Sequence, residues 1–312
     1  MSAATTVTVW EKSKAWATLA RPPFHSVGVL PFAVGCVLAW RAEGTFDWAL
    51  WGWGTLAVVL IMLSTYWAGE YFDYEEDRIS GELGRSRFAG GTGVVHSGIV
   101  SRRAPLFGSI VALICAGAVG LILWLGYGTG PWTIPLGILG MIGGFLYSTP
   151  PVRWVSTGVG ELWIGICYGF LPVAVGYYLP TGRLDPLVLY VSLPIAATIF
   201  NVILANEFPD FTADGSAGKL NLLQRLGRES GAQLYATISA IGWLTVLFSI
   251  WAGVSSMLLA YYSLPFLASV YVTLRFLQGK WSDSRELELM CGLGIFVNLG
   301  TSLAYILVFV CH

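Results

Sequence analysis

The chain has 312 residues, of which 55% are hydrophobic and only 11% charged, and its mean hydropathy is +0.69. A soluble globular protein carries about a quarter charged residues, so this composition excludes that class. The net charge of −1 offers no strongly basic surface, and no nucleic-acid partner is expected.

Apolar runs of roughly 20 residues recur along the whole chain, and each is long enough to cross about 30 Å of hydrocarbon as a helix. Because the runs are continuously apolar rather than alternating, they favour helices over a β-barrel. Nine spans are predicted, at about 24–43, 48–68, 104–126, 131–149, 158–180, 185–205, 231–253, 255–276 and 288–310. The expected fold is an all-α polytopic membrane protein that forms a single domain over residues 1–312.

The segment before the first span, residues 1–22, places two tryptophans and two lysines between Val9 and Leu19. This mixture predicts an amphipathic helix that lies along the membrane interface. The alternative is a flexible N-terminus.

Lysine and arginine are distributed unevenly over the predicted loops. If the N-terminus and every second loop lie on one side, 15 of the 17 basic residues fall there, and only Arg41 and Arg183 fall on the other side. The positive-inside rule then puts the N-terminus in the cytoplasm and the C-terminus outside the cell membrane. An extra or missing span in the middle of the chain would scramble this asymmetry, so it supports nine spans.

Two acidic clusters follow the second and sixth predicted spans, on the predicted cytoplasmic side. The first contains Asp73 and Asp77, and the second contains Asn206, Asp210 and Asp214. Residues four positions apart share a helix face, so each cluster presents its oxygens in one direction. Such hard oxygen ligands suit Mg²⁺, which is usually shared with substrate phosphates. The clusters are therefore predicted to hold a diphosphate between metal ions; the alternative is that both are solvated helix ends.

Basic and hydroxyl side chains near the clusters are candidates for binding a diphosphate, because they donate hydrogen bonds to phosphate oxygens. These candidates are Arg21, Arg78, Arg87, Tyr147, Ser148 and Lys219, with Arg85 in the same loop as Arg87. The alternative is that cytoplasmic loops are basic in any membrane protein and that a boundary tyrosine is an interfacial anchor. Glu70, and Glu161 at the apolar start of the fifth span, are further candidates, because a carboxylate beside hydrocarbon needs a partner.

These motifs resemble those of the UbiA superfamily of intramembrane prenyltransferases, whose pattern is NxxxDxxxD twice. The second motif matches fully at Asn206, Asp210 and Asp214. In the first, Gly69 stands where the family has asparagine. The resemblance covers most of the chain, including Arg21-Pro22 with Pro31 and Gly35, Tyr147–Arg153, Gly158–Glu161, and Gly218-Lys219 followed by Leu226-Gly227. The loop that begins at Arg87 looks like that of the branch that prenylates dihydroxynaphthoate on the way to menaquinone.

The resemblance implies nine helices around a central cavity that opens sideways to lipid. An isoprenyl diphosphate would bind with its head on Mg²⁺ held by both motifs, and its ionisation would give an allylic cation that alkylates an acceptor. The implied catalytic and metal-binding carboxylates are Asp73, Asp77, Asp210 and Asp214, with Asn206 as a further metal ligand.

The expected function is Mg²⁺-dependent prenyl transfer to a quinoid, naphthoate or phenolic acceptor within the membrane, as in quinone biosynthesis. One alternative is terpene cyclisation or transfer to a non-aromatic lipid acceptor by the same kind of site. A transporter is a weaker alternative, because charges are almost absent at mid-span, where a transport pathway would need them.

Overall fold

The computed structural model describes residues 7–84 and 86–312, which fold into helices and contain no strand. The α-helices are α1 (Val9–Leu19), α2 (Ser26–Glu43), α3 (Trp48–Phe72), α4 (Tyr74–Gly84), α5 (Arg103–Leu121), α6 (Thr133–Phe145), α7 (Gly160–Ile164), α8 (Leu171–Thr181), α9 (Pro186–Ser216), α10 (Leu222–Leu226), α11 (Arg228–Trp251), α12 (Leu258–Leu277) and α13 (Ser284–Cys311). A π-helical segment, Ile122–Gly126, extends α5, and a second, Gly165–Phe170, joins α7 to α8. Short 3-10 helices lie at Pro22–His25, Trp154–Ser156 and Lys280–Ser282.

The predicted multi-pass helical fold is confirmed, whereas the predicted count of nine spans is not. Each predicted span contains a helix, but seven helices of the described residues are long and apolar enough to cross a membrane. α6 has 13 residues and covers about 20 Å, which is less than the hydrocarbon thickness. α12 also falls outside the seven.

The N-terminal helix α1 forms over the predicted residues. Its first turn is closed by a capping box, in which the backbone N–H of Glu11 donates to the Thr8 hydroxyl and the Glu11 carboxylate accepts from the Thr8 N–H. Trp10 is 77% exposed, as an interfacial residue would be. The position of α1 at a membrane interface stays a prediction, and residues 1–6 of that segment lie outside the described residues.

The longer helices form a ring in the order α2, α3, α5, α6, α7–α8, α9, α11, α12 and α13, and α13 closes the ring against α2. α2 also packs on α8, so closely that their backbones touch. A Cβ added to Gly35 would lie 2.1 Å from the carbonyl oxygen of Val173, and one added to Gly176 would lie 2.2 Å from that of Phe32. Small residues permit this close approach, which is typical of helices packed within membranes.

The first acidic cluster lies at a break between two helices. α3 continues past the predicted end of its span to Phe72, and Asp73, with φ −93° and ψ 21°, separates it from α4. Because this ψ departs from the helical value, Asp73 and Asp77 do not lie on one uninterrupted helix as predicted. One helical contact survives, since the N–H of Asp77 donates to the carbonyl of Asp73 at 2.9 Å.

The second acidic cluster lies within one continuous helix. α9 extends beyond the predicted end of its span and carries Asn206, Asp210 and Asp214 on successive turns. Pro209 lies inside the helix and does not end it, although it has no N–H to donate to the preceding turn. The three oxygen-bearing side chains therefore face one way, as predicted.

Candidate active site

Both acidic clusters and two of the predicted basic residues, Arg21 and Lys219, line one cavity of about 240 Å³. The cavity lies where α3 meets α4, opposite the last turns of α9. Its polar lining consists of Arg21, Thr65, Tyr66, Glu70, Asp73, Glu76, Asp77, Ser80, Tyr147, Ser148, Tyr168, Asn206, Glu207, Asp210, Asp214 and Lys219. Its wall further along the helices is mainly apolar and includes Val27, Ile164, Ile199, Val202, Ile203 and Ile295. One space therefore joins a charged end to an apolar end.

In the first cluster, Asp73 is held by hydrogen bonds from two side chains. The Ser148 hydroxyl donates to Asp73 Oδ2 at 2.6 Å, and the guanidinium of Arg153 donates to Asp73 Oδ1 at 2.9 Å. The same guanidinium also donates to the carboxylate of Glu76. Arg153 therefore joins two of the carboxylates that line the cavity.

Asp77, the second aspartate of this cluster, is buried and accepts a hydrogen bond from the N–H of Gly91 at 2.6 Å. Burial, together with the nearby Asp73 and Glu70 carboxylates, raises the pKa of Asp77 to about 8. A carboxyl group in such surroundings is stabilised by a cation, because a cation favours its charged form.

In the second cluster, both aspartates have protein partners. The Ser80 hydroxyl donates to Asp210 at 2.6 Å, which joins α4 to α9. Asp214 accepts from the Asn221 amide at 2.8 Å and from the Lys219 ammonium at 3.3 Å. Burial opposes the charge of Lys219, but the surrounding carboxylates, led by that of Asp214, outweigh burial and raise its pKa above the ordinary value.

Asn206 differs from the other residues of its cluster, because its buried side-chain oxygen has no hydrogen-bond partner. Four carboxylates and one unpartnered amide oxygen are the hard donors that suit a divalent cation such as Mg²⁺. In the part of the chain that the structure describes, however, no three acidic, His or Cys side chains converge closely enough to hold a metal ion. The donor set thus fits the predicted metal chemically, and these side chains would have to move closer together to hold it.

A glycine-rich loop, residues 86–95, lies against the cavity between the two clusters. Arg21 donates to the carbonyl of Gly90 and to the Glu70 carboxylate, both at 3.0 Å. Thr92 donates to the same carboxylate through its N–H at 2.7 Å and its hydroxyl at 3.0 Å. Glu70, a further candidate from the sequence, is therefore buried and fully engaged in holding this loop and Arg21.

Three predicted site residues lie away from the cavity. Arg78 pairs with Glu75 and Glu82 on the exposed side of α4. The side chain of Arg87 is 86% exposed and approaches Glu288 of α13. Glu161 is buried and accepts from the N–H of Leu222 at 3.0 Å, so it anchors the start of α10. Arg85 lies outside the described residues.

Sequence reasoning did not assign a site role to Arg153, Glu76, Ser80 or Glu207, all of which lie at the cavity or bind its carboxylates. Arg153 ends the segment Tyr147–Arg153, which carries part of the family resemblance. Its position shortly after two prolines was the one feature of the sequence that could have indicated a site role. Ser80 is an ordinary polar residue of an exposed-looking helix, and nothing in its spacing predicts a contact with Asp210.

These features define a class of protein: a multi-pass helical membrane protein with acidic and basic groups gathered at one end of an apolar cavity. The model of the UbiA prenyltransferase family matches residues 29–300, and the chain belongs to this family. The resemblance drawn from the motifs is thus confirmed, and the chain is a prenyltransferase.

Relatives named 1,4-dihydroxy-2-naphthoate octaprenyltransferase share much of its length. The Bacillus subtilis protein is 25% identical over 242 residues, which cover 76% of this chain and 74% of that protein. The Mycobacterium leprae protein is 29% identical over 235 residues, which cover 74% of this chain and 76% of that protein. A UbiA homolog from Archaeoglobus fulgidus, solved bound to DMAPP and Mg²⁺, has the same fold, with a TM-score of 0.67 and 17% identity over 95% of this chain and 99% of that one.

Proposed function

We propose that the protein transfers an isoprenyl group from an isoprenyl diphosphate to an aromatic acceptor within the membrane, in a reaction that depends on Mg²⁺. The observation that carries this proposal is the single cavity that both acidic clusters, Lys219 and Arg21 line at one end and apolar side chains line at the other. A diphosphate head fits the charged end, and an isoprenoid fits the apolar end.

The aspartates Asp73, Asp77, Asp210 and Asp214, with Asn206, are the proposed metal ligands. A bound divalent cation would supply positive charge to the leaving diphosphate and so favour its departure. Lys219 and Arg21 add two fixed cations, and Tyr147 and Ser148 add hydroxyl donors beside Asp73. These groups lie at the charged end of the cavity before the substrate binds, where they can donate to the leaving diphosphate as its charge develops.

The chemical step follows from this arrangement. The allylic C–O bond breaks, the electron pair leaves with the diphosphate, and the resulting allylic cation is attacked by a carbon of the electron-rich acceptor ring. The ring then loses a proton and regains its aromaticity. The apolar walls exclude water that would otherwise capture the cation, and the rings of Tyr66 and Tyr168 can stabilise it through their faces.

A dihydroxynaphthoate is the proposed acceptor. Support comes from the names of the Bacillus subtilis and Mycobacterium leprae relatives and from the loop that begins at Arg87. Terpene cyclisation and a non-aromatic lipid acceptor are the alternatives, and the mass of the product distinguishes them.

We also propose nine spans with the N-terminus in the cytoplasm, which puts the charged end of the cavity on the cytoplasmic side. The support is the distribution of basic residues, 15 of 17 on one side. Mg²⁺ would then reach the site from the cytoplasm, and the released diphosphate would leave to the cytoplasm.

The test is release of diphosphate by the purified protein in detergent, with Mg²⁺ and allylic diphosphates of increasing length, in the presence or absence of dihydroxynaphthoate. We expect release that needs both Mg²⁺ and the naphthoate, with a prenylated naphthoate as the product. Asp210→Asn should reduce turnover by about a hundredfold or more. The matched control, Asp185→Asn, alters an exposed helix cap and should retain activity.

Full activity of the Asp210 variant would contradict the metal-site assignment. Release without the naphthoate would redirect the proposal to another acceptor, to hydrolysis or to cyclisation, according to the product masses. No release with any allylic diphosphate, from protein shown to be folded, would overturn the proposed reaction.

A further inference from the structure

The helix α4 packs against the cavity that both acidic clusters line, the acidic cavity, with a face whose fully buried side chains are all polar. They are Glu76, Asp77 and Ser80, whereas Arg78 and Glu82 pair on the exposed side of the helix. Burying a polar group costs free energy unless the group finds a hydrogen-bond partner. The partners of these three side chains therefore determine how α4 is held in place.

Two of the three side chains have partners beside the first acidic cluster. Glu76 accepts from Arg153, and Asp77 accepts from the backbone of the glycine-rich loop. Ser80 differs, because its hydroxyl donates at 2.6 Å to Oδ1 of Asp210, which belongs to the second cluster. In the part of the chain that the structure describes, this is the one side-chain hydrogen bond between α4 and α9. Ser80 therefore joins the helix of Asp77 to the helix of the second cluster.

The hydrogen bond between Ser80 and Asp210 is shielded from water. Both residues are buried, and an O–H···O distance of 2.6 Å is typical of a hydroxyl that donates to a charged carboxylate. A Cβ on Gly90 would lie 3.2 Å from the Ser80 hydroxyl oxygen and 3.6 Å from each carboxylate oxygen of Asp210, so the glycine-rich loop packs over the bond. Removing the hydroxyl would leave a buried carboxylate without the donor that fixes its orientation.

The two carboxylate oxygens of Asp210 have different surroundings. Oδ1 accepts from Ser80, whereas Oδ2 accepts no hydrogen bond from any described residue. Asp214, one turn further along α9, accepts through both oxygens, from Lys219 and from Asn221. A carboxylate held through one oxygen presents the other in a fixed direction, and supporting hydrogen bonds of this kind tune how well a carboxylate binds a metal ion.

We propose that Ser80 is a positioning residue, whose hydroxyl holds the Asp210 carboxylate in one orientation and thereby strengthens the binding of a divalent cation in the acidic cavity. This inference rests on the proposed function, which makes Asp210 a metal ligand. Ser80 acts through Asp210, because its hydroxyl hydrogen is directed at that carboxylate. The polar buried face of α4 thus supports the second acidic cluster as well as the first.

The test is a Mg²⁺ titration of the melting temperature of the protein in detergent, which needs no turnover. In Ser80→Ala, the Mg²⁺ concentration that gives half of the maximal stabilisation should rise by about tenfold or more, because loss of such a supporting hydrogen bond weakens metal binding to about that extent. Ser80→Thr keeps the hydroxyl and should keep the response of the unaltered protein. The matched control, Ser249→Ala, removes another buried hydroxyl, which is bonded to Tyr305 at 2.7 Å away from the acidic cavity, and should leave the Mg²⁺ response unchanged.

A double-mutant cycle shows whether Ser80 acts through Asp210. Adding Ser80→Ala to Asp210→Asn should shift the Mg²⁺ titration by less than about twofold, because the carboxylate that Ser80 holds is already gone. A full tenfold shift in that background, or an unshifted titration in Ser80→Ala alone, would overturn the inference. Ser80→Cys, whose thiol is only a weak donor, repeats the test if the alanine variant does not fold.

The same variants separate this inference from the proposed reaction. If the Mg²⁺ titrations shift as expected but no prenyl group is transferred, the proposed reaction fails and the role of Ser80 in cation binding stands. If the unaltered protein transfers a prenyl group and Ser80→Ala has the same Mg²⁺ titration, the reaction stands and the inference fails.

Discussion

Arg153 combines a strained backbone with a central position among the acidic side chains. Its φ of 47° is in the left-handed region, which costs a residue other than glycine about 1 kcal/mol or more. Its guanidinium, 30% exposed, bridges Asp73 and Glu76. A cation at this point balances two carboxylates and also opposes the approach of a second cation to Asp73.

Replacing Arg153 with glutamine should have two opposite effects. Without Mg²⁺, Arg153→Gln should lower the free energy of unfolding by about 1–3 kcal/mol, because two partly buried carboxylates lose their charged donor. With Mg²⁺, the variant should gain more stability than the unaltered protein gains, because the competing positive charge is gone. Thermal unfolding in detergent with and without Mg²⁺ measures both effects.

The control for this comparison is Arg183→Gln. Arg183 pairs with Glu43 at 2.9 Å, but its side chain is 63% exposed, so the pair contributes little to stability. Its loss should change neither the melting temperature nor the response to Mg²⁺. An equal Mg²⁺ response in the Arg153 variant and the unaltered protein would show that Arg153 does not act on the cation site.

Gly69 occupies the position that corresponds to Asn206 in the second cluster. A Cβ at Gly69 would lie 3.6 Å from Asp73 Oδ2 and 3.7 Å from the Ser148 hydroxyl, which are ordinary contacts, so a side chain can begin there without a clash. Gly69→Asn should add an oxygen ligand and lower the Mg²⁺ concentration for half-maximal turnover by about tenfold. Mg²⁺ titrations of turnover and of melting temperature measure the change.

Gly52→Asn, on an exposed part of the same helix, is the control and should behave like the unaltered protein. Complete loss of activity in the Gly69 variant would mean that this position is not a ligand position in this chain.

Among the elements, the glycine-rich loop has the tightest contact with the acidic side chains. A Cβ on Gly91 would lie 2.0 Å from Asp77 Oδ2, so even alanine must displace that carboxylate. Gly91→Ala should lower turnover by about a hundredfold, because a displacement of about 1 Å at a reacting site has effects of that size. The measurement is kcat beside the melting temperature.

Gly98→Ala is the control that separates displacement of the Asp77 carboxylate from a general disturbance of the backbone in this part of the chain. Gly98 has a φ of 75° and open space around it, so alanine strains the backbone there but touches nothing. We expect lower stability with turnover retained. If both variants lose activity equally, displacement of Asp77 is not the cause.

The sequence predicts most helices because the patterns that specify a helix involve residues close together in the chain. An apolar run of sufficient length predicts a helix such as α9, and fourfold spacing predicts that Asn206, Asp210 and Asp214 face one way. The break at Asp73 has no comparable local signal. Contacts such as Ser80 with Asp210, or Arg21 with Gly90, join residues far apart in the chain, so they depend on how the helices assemble. For the same reason the sequence could not show that Arg78 and Arg87 face away from the cavity, although they are basic residues of a suitable loop.

At the scale of the whole molecule, the number of helices that cross the membrane determines on which side each turn lies. The charge distribution supports nine spans, whereas helix length and hydropathy identify seven, without α6 and α12. The two counts differ in where they place the turn between α8 and α9 relative to the turn between α12 and α13. With nine spans these turns lie on opposite sides, and with seven they lie on the same side as the N-terminus.

Labelling of single cysteines distinguishes the two arrangements. In a variant whose five cysteines are replaced by serine, Arg183→Cys and Gln278→Cys each add one thiol at an exposed turn. We expect a membrane-impermeant maleimide to label Arg183→Cys on intact cells and to label Gln278→Cys only after the cells are made permeable. The physical reason is that removal of Arg183 leaves the outer side with one basic residue, Arg41, so the positive-inside preference is strengthened. Labelling of neither variant on intact cells would favour seven spans, and the reverse pattern would put the N-terminus outside and the acidic cavity on the outer face.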